Sequence, residues 1–294
     1  MLSILIPSYN FDIINLVKEF HFQANELDID FEIIIIDDAS PDKKYRKINS
    51  ELSLLENVEY IQLGKNIGRS KIRNLLAEKA KYPYLLFADS DTLIEKDDFI
   101  KSYIESCKDA EIIFGGIAYK STPPEDRTQY LRWFYGTKRE QIPANIRQKQ
   151  GNRLFMTGNF LISKKVFEKI QFDEKITQYG HEDTVFAYEA AQNSISIKHI
   201  DNPLIHIGLE TSEKFIEKTK VAVKNLKKIA ENKNYKELFS TIRLWSIYQK
   251  IKFAKFFVKI IFKFTKKIIE RNLKGNKPKL SYFDFYKLGY LCSL

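Results

Sequence analysis

The first 115 residues alternate short apolar runs with segments in which apolar residues recur at helical spacing. This pattern predicts strands at 2–7, 31–36, 58–63 and 84–88, and helices after them at 13–27, 44–55, 70–80 and 97–107. The second run, FEIIII, is rich in β-branched residues, which is typical of a strand that is covered on both faces. The alternation therefore predicts an α/β fold with a mostly parallel central sheet flanked by helices.

Polar and turn-forming residues follow all four of these strands. The segments are PSYN at 7–10, DDAS at 37–40, GKNIG at 64–68 and DSD at 89–91. Ligands of parallel α/β sheets bind beyond the carboxyl ends of the strands, so these segments are expected to meet at one site. A single acidic turn carries little information, because Asp is common in loops for its own hydrogen bonding. Several polar turns at one edge, two of them with paired acids, predict a site for a cation and a polar ligand.

Asp89 and Asp91 are two residues apart at the end of the fourth strand. Residues at this spacing point to the same side of a strand, so both carboxylates can face one ligand. Hard divalent cations such as Mg²⁺ or Mn²⁺ bind carboxylate and phosphate oxygens. The alternative interpretation is a solvated turn that leads into the next helix.

The pattern is looser between residues 112 and 202. Strands are predicted at 112–119 and 155–162, and the polar insert between them is long enough to be a functional loop or lid. The segment GHED at 180–183 begins a predicted helix that ends near residue 192. The helix dipole favours acids in a first turn, so capping alone could explain Glu182 and Asp183.

Four segments of the chain, in order, resemble the family 2 glycosyltransferases of the GT-A fold. They are ILIPSYN, FEIIIIDDAS, LGKNIGRSKIRN and YLLFADSDT. The resemblance covers residues 1–210, and GHED is similar to the form found in chondroitin-polymerase-type and galactosyltransferase-type members. It implies an inverting, metal-dependent transfer of a sugar from a UDP-sugar to an acceptor hydroxyl. We expect the acceptor to be a glycan or lipid-linked saccharide in cell-surface polysaccharide synthesis, because the C-terminal part of the chain predicts an enzyme at a membrane surface.

The resemblance also assigns residues to the nucleotide-sugar. They are Pro7, Tyr9, Asp37, Asp38, Asn66, Gly68, Arg73 and Asp89. Pro7 and Tyr9 would line the uridine pocket. Asp38, supported by Asp37, would accept a hydrogen bond from the uracil N3–H. Arg73 would lie near the diphosphate.

Metal and catalytic roles follow from the same resemblance. Asp91, with Asp89, would hold Mn²⁺ or Mg²⁺, which neutralises charge on the departing diphosphate. His206 matches an additional metal ligand of some members and would favour Mn²⁺, although a lone His in an apolar stretch also fits a core residue. Asp183 would deprotonate the acceptor hydroxyl, and Glu182 would contact the acceptor sugar.

Charge divides the chain into two parts. Residues 1–210 have a net charge of −5, and residues 211–294 have a net charge of +15. We expect a catalytic domain at 1–210, with a nucleotide-sugar half at 1–115 and an acceptor half at 116–210. A basic, helical extension is expected at 211–294.

Within this extension, apolar and lysine residues recur at helical spacing between residues 250 and 267. The apolar residues are Phe253, Phe256, Phe257, Ile260 and Phe264, and the lysines are Lys252, Lys255, Lys259, Lys263 and Lys266. The pattern is typical of a helix that lies on an anionic membrane surface. The alternative is a helix that packs on the catalytic domain with its lysines in solvent. The extension has no Arg-rich or aromatic RNA-binding motif, so no nucleic-acid partner is expected.

A membrane-associated or nucleic-acid-binding scaffold with weak catalysis is the alternative class of function. The acids at 89–91 and 182–183 argue against it, because a degenerate member need not keep both pairs. The sequence has two cysteines, no zinc-finger spacing and no basic segment typical of a signal peptide. It also lacks an apolar run of about 18 residues. We expect a cytoplasmic enzyme, peripheral at the inner face of the plasma membrane.

Overall fold

A computed structural model describes residues 1–108, 110–232 and 235–294. The chain forms two compact units. The first comprises Met1–Lys120, Glu140–Thr177 and Glu182–Gly208, and the second comprises Ser121–Arg139, Gln178–His181 and Leu209–Leu294. The last segment of the second unit begins at Leu209, close to the predicted domain boundary at residue 210. The assignment of functions to the domains on either side of this boundary stays a prediction.

The strands and helices are numbered in chain order. The strands are β1 Leu2–Ser8, β2 Phe31–Asp37, β3 Val58–Gln62, β4 Tyr84–Ala88, β5 Thr92–Leu93, β6 Ile112–Phe114, β7 Ile117–Ala118, β8 Asn159–Ser163, β9 Ile197–His199 and β10 Leu204–His206. The helices are α1 Ile14–Glu26, α2 Lys43–Ser50, α3 Arg69–Lys79, α4 Phe99–Ser106, α5 Tyr130–Arg139, α6 Ala144–Gln148, α7 Lys164–Phe167, α8 Glu182–Gln192, α9 Ser212–Ala230, α10 Lys236–Thr241, α11 Arg243–Lys250, α12 Lys255–Leu273 and α13 Leu280–Ser293. All strands belong to the first unit, whereas α5 and α9 to α13 belong to the second.

Among the described residues, seven strands form the main sheet in the order β3-β2-β1-β4-β8-β6-β9. β1 pairs in parallel with β2 and β4, whereas β8 runs antiparallel to both β4 and β6. The predicted mostly parallel sheet flanked by helices is confirmed. A smaller sheet contains β5, β10 and β7, and its register places His206 opposite Thr92. Because Thr92 directly follows Asp91 in the chain, this pairing brings His206 to the end of β4.

Apolar side chains of the main sheet alternate between its two faces, and both faces are buried. The core on one face includes Leu5, Ile34, Ile36, Phe87, Phe160 and Phe186. The core on the other face includes Ile4, Val17, Phe20, Ile33, Ile35 and Leu161. The four isoleucines of the FEIIII run thus contribute to both cores, as four consecutive β-branched residues predict. Because both faces are covered, a ligand can reach polar side chains at the carboxyl ends of the strands, where the candidate site lies.

The predicted single strand at 112–119 is wrong, because β6 and β7 belong to different sheets. The chain breaks at Gly115 and Gly116, and Gly116 has a φ of +93°, which favours glycine. The Arg147 guanidinium fills the space beside it, since a Cβ at Gly116 would lie 2.7 Å from Arg147 Nη2. The polar insert after this break is not a continuous loop, because it contains α5 and α6.

The second unit is helical, which confirms the predicted helical C-terminal extension. Its core is formed by Leu131, Phe215, Ile216, Phe262, Ile269, Leu273, Phe283 and Tyr286. α12 and α13 pack so closely that a Cβ at Gly289 would lie only 2.5 Å from ring carbons of Phe262. Within the described part of the chain, every helix is too short or too polar to span a membrane.

Candidate active site

Hydrogen bonds tie the ends of β1 and β2 together at the edge of the main sheet. The Asp38 N–H donates to the Ser8 carbonyl at 2.9 Å, and the Asn10 N–H donates to Ser40 Oγ at 2.6 Å. Asp37 is fully buried and accepts from the Ser40 N–H at 2.7 Å and the Ser40 hydroxyl at 2.5 Å. Asp37 therefore holds the loop that carries Asp38.

Asp38 fixes the turn that follows β3. Its Oδ1 accepts from the Ile67 N–H at 2.7 Å, and its Oδ2 accepts from the Gly68 N–H at 3.0 Å. The Asn66 side chain donates to the Asp38 carbonyl at 3.0 Å. Gly68 has a φ of +86°, a conformation that favours glycine. Each carboxylate oxygen of Asp38 has more than one acceptor position, so this carboxylate can still bind a ligand donor.

Pro7 and Tyr9 lie at the end of β1, next to this network in the chain. Pro7 is half-buried, whereas Tyr9 is 53 % exposed. An exposed aromatic ring offers a flat apolar face on which a planar base can stack. The structure thus places an aromatic surface and a hydrogen-bonding carboxylate at neighbouring strand ends.

Arg73 positions Asp89 at the end of β4. The guanidinium is almost fully buried, and its Nη2 lies 2.6 Å from Asp89 Oδ1. Its Nη1 also donates to the Arg69 carbonyl at 3.2 Å. On the other side, a Cβ at Gly158 would lie 2.8 Å from Asp89 Oδ2. A charge-assisted bond and a close backbone therefore hold this carboxylate in one place.

Asp91 and His206 form a separate pair of potential metal ligands. Asp91 Oδ2 lies 3.3 Å from His206 Nε2, and the His206 ring packs 5.4 Å from the ring of Tyr119, centroid to centroid. Two ligands about 2.1 Å from one ion are about 3.0 Å apart when they lie at right angles, so the observed separation fits a shared cation. His206 Nδ1 is buried and has no hydrogen-bond partner among the described residues.

A metal at this pair would need further oxygen ligands. No group of three or more His, Cys, Asp or Glu side chains that could hold an ion occurs in the described ranges. Asp89 is bound by Arg73, so the structure joins only Asp91 and His206 in direct contact. The donor set therefore fits a divalent cation that completes its shell with substrate oxygens and water, as Mg²⁺ and Mn²⁺ do. The metal role of Asp89 stays a prediction.

Glu182 and Asp183 begin α8. Glu182 is buried, its Oε1 lies 3.5 Å from Arg69 Nη1, and its Oε2 is buried with no hydrogen-bond partner in the described part of the chain. Asp183 accepts from the N–H and the hydroxyl of Thr184 at 2.6 and 3.2 Å. Burial, followed by the nearby Glu182 carboxylate, raises the pKa of Asp183 from 3.8 to about 6, against the opposing effects of Thr184 and Arg73.

A strained turn of the second unit directly precedes α8 in the chain. Gly180 and His181 have φ values of +93° and +74°, and the latter is uncommon for a residue with a side chain. Asn225 on α9 donates to the carbonyls of Gly180 at 2.6 Å and Gln178 at 3.3 Å. These bonds hold a conformation that the sequence pattern alone did not predict.

Sequence reasoning missed two residues that support the candidate site. Arg69 lies four residues before Arg73, so both side chains can project from one side of α3. This spacing is the sequence feature that could have identified Arg69. Gly208 was missed because only the fold shows why it is needed. A Cβ there would lie 2.6 Å from Asp91 Oδ2, and the Asp91 carbonyl accepts from the N–H groups of Ile207 and Gly208 at 2.9 and 3.2 Å.

Solved structures with a similar fold are glycosyltransferases. A structure of TarS from Staphylococcus aureus in complex with UDP-GlcNAc has a TM-score of 0.51 at 15% identity, over 97% of this chain and 89% of that one. A mannosyltransferase from Pyrobaculum calidifontis, solved with GDP-Man and Mn²⁺, has a TM-score of 0.56 at 12% identity, over 99% of this chain and 85% of that one. These likenesses show that the chain has the GT-A fold.

Sequence similarity leads to the same group of proteins. Chondroitin synthase from Escherichia coli is 24% identical over 237 residues, which are 70% of this chain and 34% of that protein. TarS, named a poly(ribitol-phosphate) beta-N-acetylglucosaminyltransferase, is 31% identical over 107 residues, which are 32% of this chain and 17% of that one. The chain thus spans only about a third of the chondroitin synthase and less of TarS. The model of the glycosyl transferase family 2 matches residues 3–171, more than half of the sequence, so the chain belongs to that family.

Proposed function

We propose that this chain transfers a sugar from a UDP-sugar to an acceptor hydroxyl, with inversion at the anomeric carbon and with a divalent metal. The observation that carries the proposal is the contact between α3 and the start of α8. Glu182, which precedes Asp183 in the chain, has its Oε1 3.5 Å from Arg69 Nη1, and Arg73, one turn further along α3, binds Asp89 of the D-S-D segment. One helix therefore holds both the segment assigned to the diphosphate and the segment assigned to the base.

Uridine recognition is assigned to the edge formed by β1, β2 and the turn after β3. Pro7 and the exposed Tyr9 ring would contact the base, while Asp38 would accept from the uracil N3–H. Asn66 and Gly68 would shape this pocket through their bonds to Asp38. Complexes of TarS with UDP and UDP-GlcNAc support uridine as the base, because that protein shares the fold.

The metal is assigned to Asp91 and His206, together with Asp89, which lies two residues before Asp91 at the end of β4. When bound, it would supply positive charge that stabilises the departing diphosphate. One imidazole and one carboxylate favour Mn²⁺ over Mg²⁺, because Mg²⁺ prefers oxygen ligands throughout. Arg73 would act on the diphosphate indirectly, because it holds the Asp89 carboxylate in place.

The acceptor is assigned to the start of α8. Asp183 would remove the proton from the attacking hydroxyl, and a pKa of about 6 leaves it ionised at neutral pH while keeping it a competent base. The unpartnered Glu182 Oε2 would accept a hydrogen bond from the acceptor sugar. A single base fits direct displacement with inversion. The names of two relatives, a chondroitin synthase and a poly(ribitol-phosphate) beta-N-acetylglucosaminyltransferase, support a polymeric acceptor. We assign the acceptor to a glycan or lipid-linked saccharide.

Gly208→Ala is expected to weaken Mn²⁺ binding about tenfold to a hundredfold, the usual effect of disturbing the surroundings of a metal ligand. The added Cβ would collide with the Asp91 carboxylate and push it away from His206. Binding of Mn²⁺ in the presence of UDP can be measured by calorimetry. Gly64→Ala is the matched control, because a Cβ there would meet no atom within 4 Å. Equal Mn²⁺ affinity in both variants would contradict the assignment of Asp91.

The proposed reaction is tested by measuring nucleotide release from a panel of sugar nucleotides. UDP-GlcNAc, UDP-glucose, UDP-galactose and UDP-glucuronic acid would be compared with GDP-mannose, each with Mn²⁺ or EDTA. We expect Mn²⁺-dependent UDP release from one of the UDP-sugars and none from GDP-mannose. Release of GDP alone would overturn the uridine assignment, and undiminished release in EDTA would overturn the metal assignment.

A further inference from the structure

α12 exposes a continuous apolar stripe on its surface. The exposed side chains are Phe256 at 65 %, Phe257 at 65 %, Ile260 at 37 %, Ile261 at 51 %, Phe264 at 76 % and Ile268 at 66 %. At about 100° per residue, these positions fall within an arc of about 140° on one side of the helix. Phe253, directly before the helix, is 92 % exposed and extends the stripe at its start.

The size of this stripe sets it apart from ordinary scattered surface residues. A phenylalanine side chain carries about 150–250 Å² of accessible surface, so the three on the stripe together expose about 300–500 Å². The three isoleucines add to this area. Folded monomers rarely expose a continuous apolar patch beyond a few hundred Å² unless it serves an interaction.

Packing inside the second unit does not account for the stripe. α12 contacts α13 through a different side, which carries the buried residues Phe262, Ile269 and Leu273. Helix α12 is therefore already anchored, and its exposed apolar residues are not needed to hold it in place. Packing within the second unit explains why the side of α12 that faces α13 is apolar. It does not explain the stripe, which is a second apolar side of the same helix.

Lysines border the stripe. Lys259, Lys263 and Lys267 are exposed, and at helical spacing they form a row along one edge of the apolar arc. The surrounding region, residues 211–294, has a net charge of +15. Aromatic and aliphatic side chains beside a row of lysines match the boundary between acyl chains and anionic headgroups, with the lysine ammonium groups outermost.

We propose that α12 binds the surface of an anionic lipid bilayer, with the stripe inserted at the headgroup boundary and the lysine row against the headgroups. A helix of 19 residues is about 28 Å long and would lie in the plane of the surface. A second copy of the chain is the alternative occupant, and in an antiparallel pair of stripes the two lysine rows would repel each other. The proposal concerns a surface outside the candidate active site, so it can fail without affecting the proposed reaction.

The experiment is co-sedimentation of the full chain with vesicles of phosphatidylglycerol and phosphatidylcholine, compared with pure phosphatidylcholine. We expect binding to the anionic vesicles at low salt, and strong weakening at about 1 M salt, where charges are screened beyond about 3 Å. Phe257→Ser/Phe264→Ser should lower the affinity at least tenfold. The triple change of Lys259, Lys263 and Lys267 to Gln should lower it about a hundredfold, at about fivefold per lysine.

Phe22→Ser is the matched control, because Phe22 is 60 % exposed on α1, a helix of the first unit. Thermal unfolding by circular dichroism and UDP binding should be unchanged in all variants, since every altered side chain is exposed. Failure of the wild-type chain to bind anionic vesicles at low salt would overturn the proposal. So would equal binding of Phe257→Ser/Phe264→Ser and Phe22→Ser, or a dimer in analytical ultracentrifugation that only the Phe257→Ser/Phe264→Ser change dissociates.

Discussion

Asp91→Ala is expected to lower the rate of Mn²⁺-dependent sugar transfer by a factor on the order of 10²–10³, because a metal at a developing charge contributes several kcal/mol. The change removes the carboxylate whose Oδ2 lies 3.3 Å from His206 Nε2. Since the Asp91 side chain is about one-third exposed, its loss leaves no cavity in the core. We expect the thermal unfolding temperature to stay close to that of the wild type.

The measurement that separates a metal ligand from a general loss of function is the effect of Mn²⁺ on UDP affinity. Mn²⁺ should tighten UDP binding in the wild type and in Asp97→Ala, an exposed acid six residues further along the chain. It should have little effect on UDP binding in Asp91→Ala. Near-normal turnover of Asp91→Ala with Mn²⁺ would show that Asp91 does not hold the metal.

The partner residue gives a second test of the same assignment. His206→Ala should also weaken the response to Mn²⁺, and the double variant should be little worse than Asp91→Ala alone. Two residues that hold one ion act as a unit, so their effects are not additive. Losses that simply multiply would indicate that His206 acts independently, as a core residue does.

The sequence predicted the main features of the first unit because these depend on local patterns. Apolar runs such as FEIIII specify strands, and a sheet buried on both faces leaves its polar groups at the strand ends. The D-S-D acids were found in this way, whereas the acids of GHED were found at the start of a predicted helix and through the family resemblance. Their grouping by contact, with Asp89 against Arg73 and Asp91 against His206, depends on how α3 and β10 meet the end of β4.

Contacts between distant parts of the chain could not be predicted from local sequence patterns. The ion pair between Arg69 and Glu182 needs α3 and α8 side by side, and no spacing in either helix specifies its partner. The break between β6 and β7 likewise depends on Arg147, more than 30 residues away, whose Nη1 donates to the Phe114 carbonyl at 3.1 Å. Apolar periodicity predicts a strand at 112–119 and contains no sign of the guanidinium beside it.

Asp183→Asn is expected to retain donor binding and to lose transfer activity by a factor on the order of 10²–10⁴, the usual contribution of a positioned general base. Asparagine can still accept the hydrogen bonds of Thr184, so the start of α8 should stay intact. UDP affinity measured by calorimetry should be unchanged. Glu189→Gln, on the same helix, is the matched control and should keep its activity.

The pH dependence of the wild type gives an independent test. Since burial and Glu182 raise the pKa of Asp183 to about 6, the rate should fall about tenfold per pH unit below 6 and reach a plateau above it. Stability should change in the opposite sense. The folded state binds this proton more tightly than the unfolded chain, so the contribution of Asp183 to stability is largest at low pH and declines as the pH rises from about 4 to about 6.

Asp183→Asn removes the charge that the folded state disfavours. The variant should therefore unfold at a higher temperature than the wild type at pH 7.5, and the difference should disappear near pH 4, where the wild-type carboxyl is protonated. A residue that lowers the stability of the fold but raises the reaction rate is typical of an active site. A structural acid, in contrast, raises stability and has no effect on the rate. If Asp183→Asn destabilised the protein at pH 7.5 and kept its turnover, Asp183 would be a helix-capping residue and the base would have to be another group.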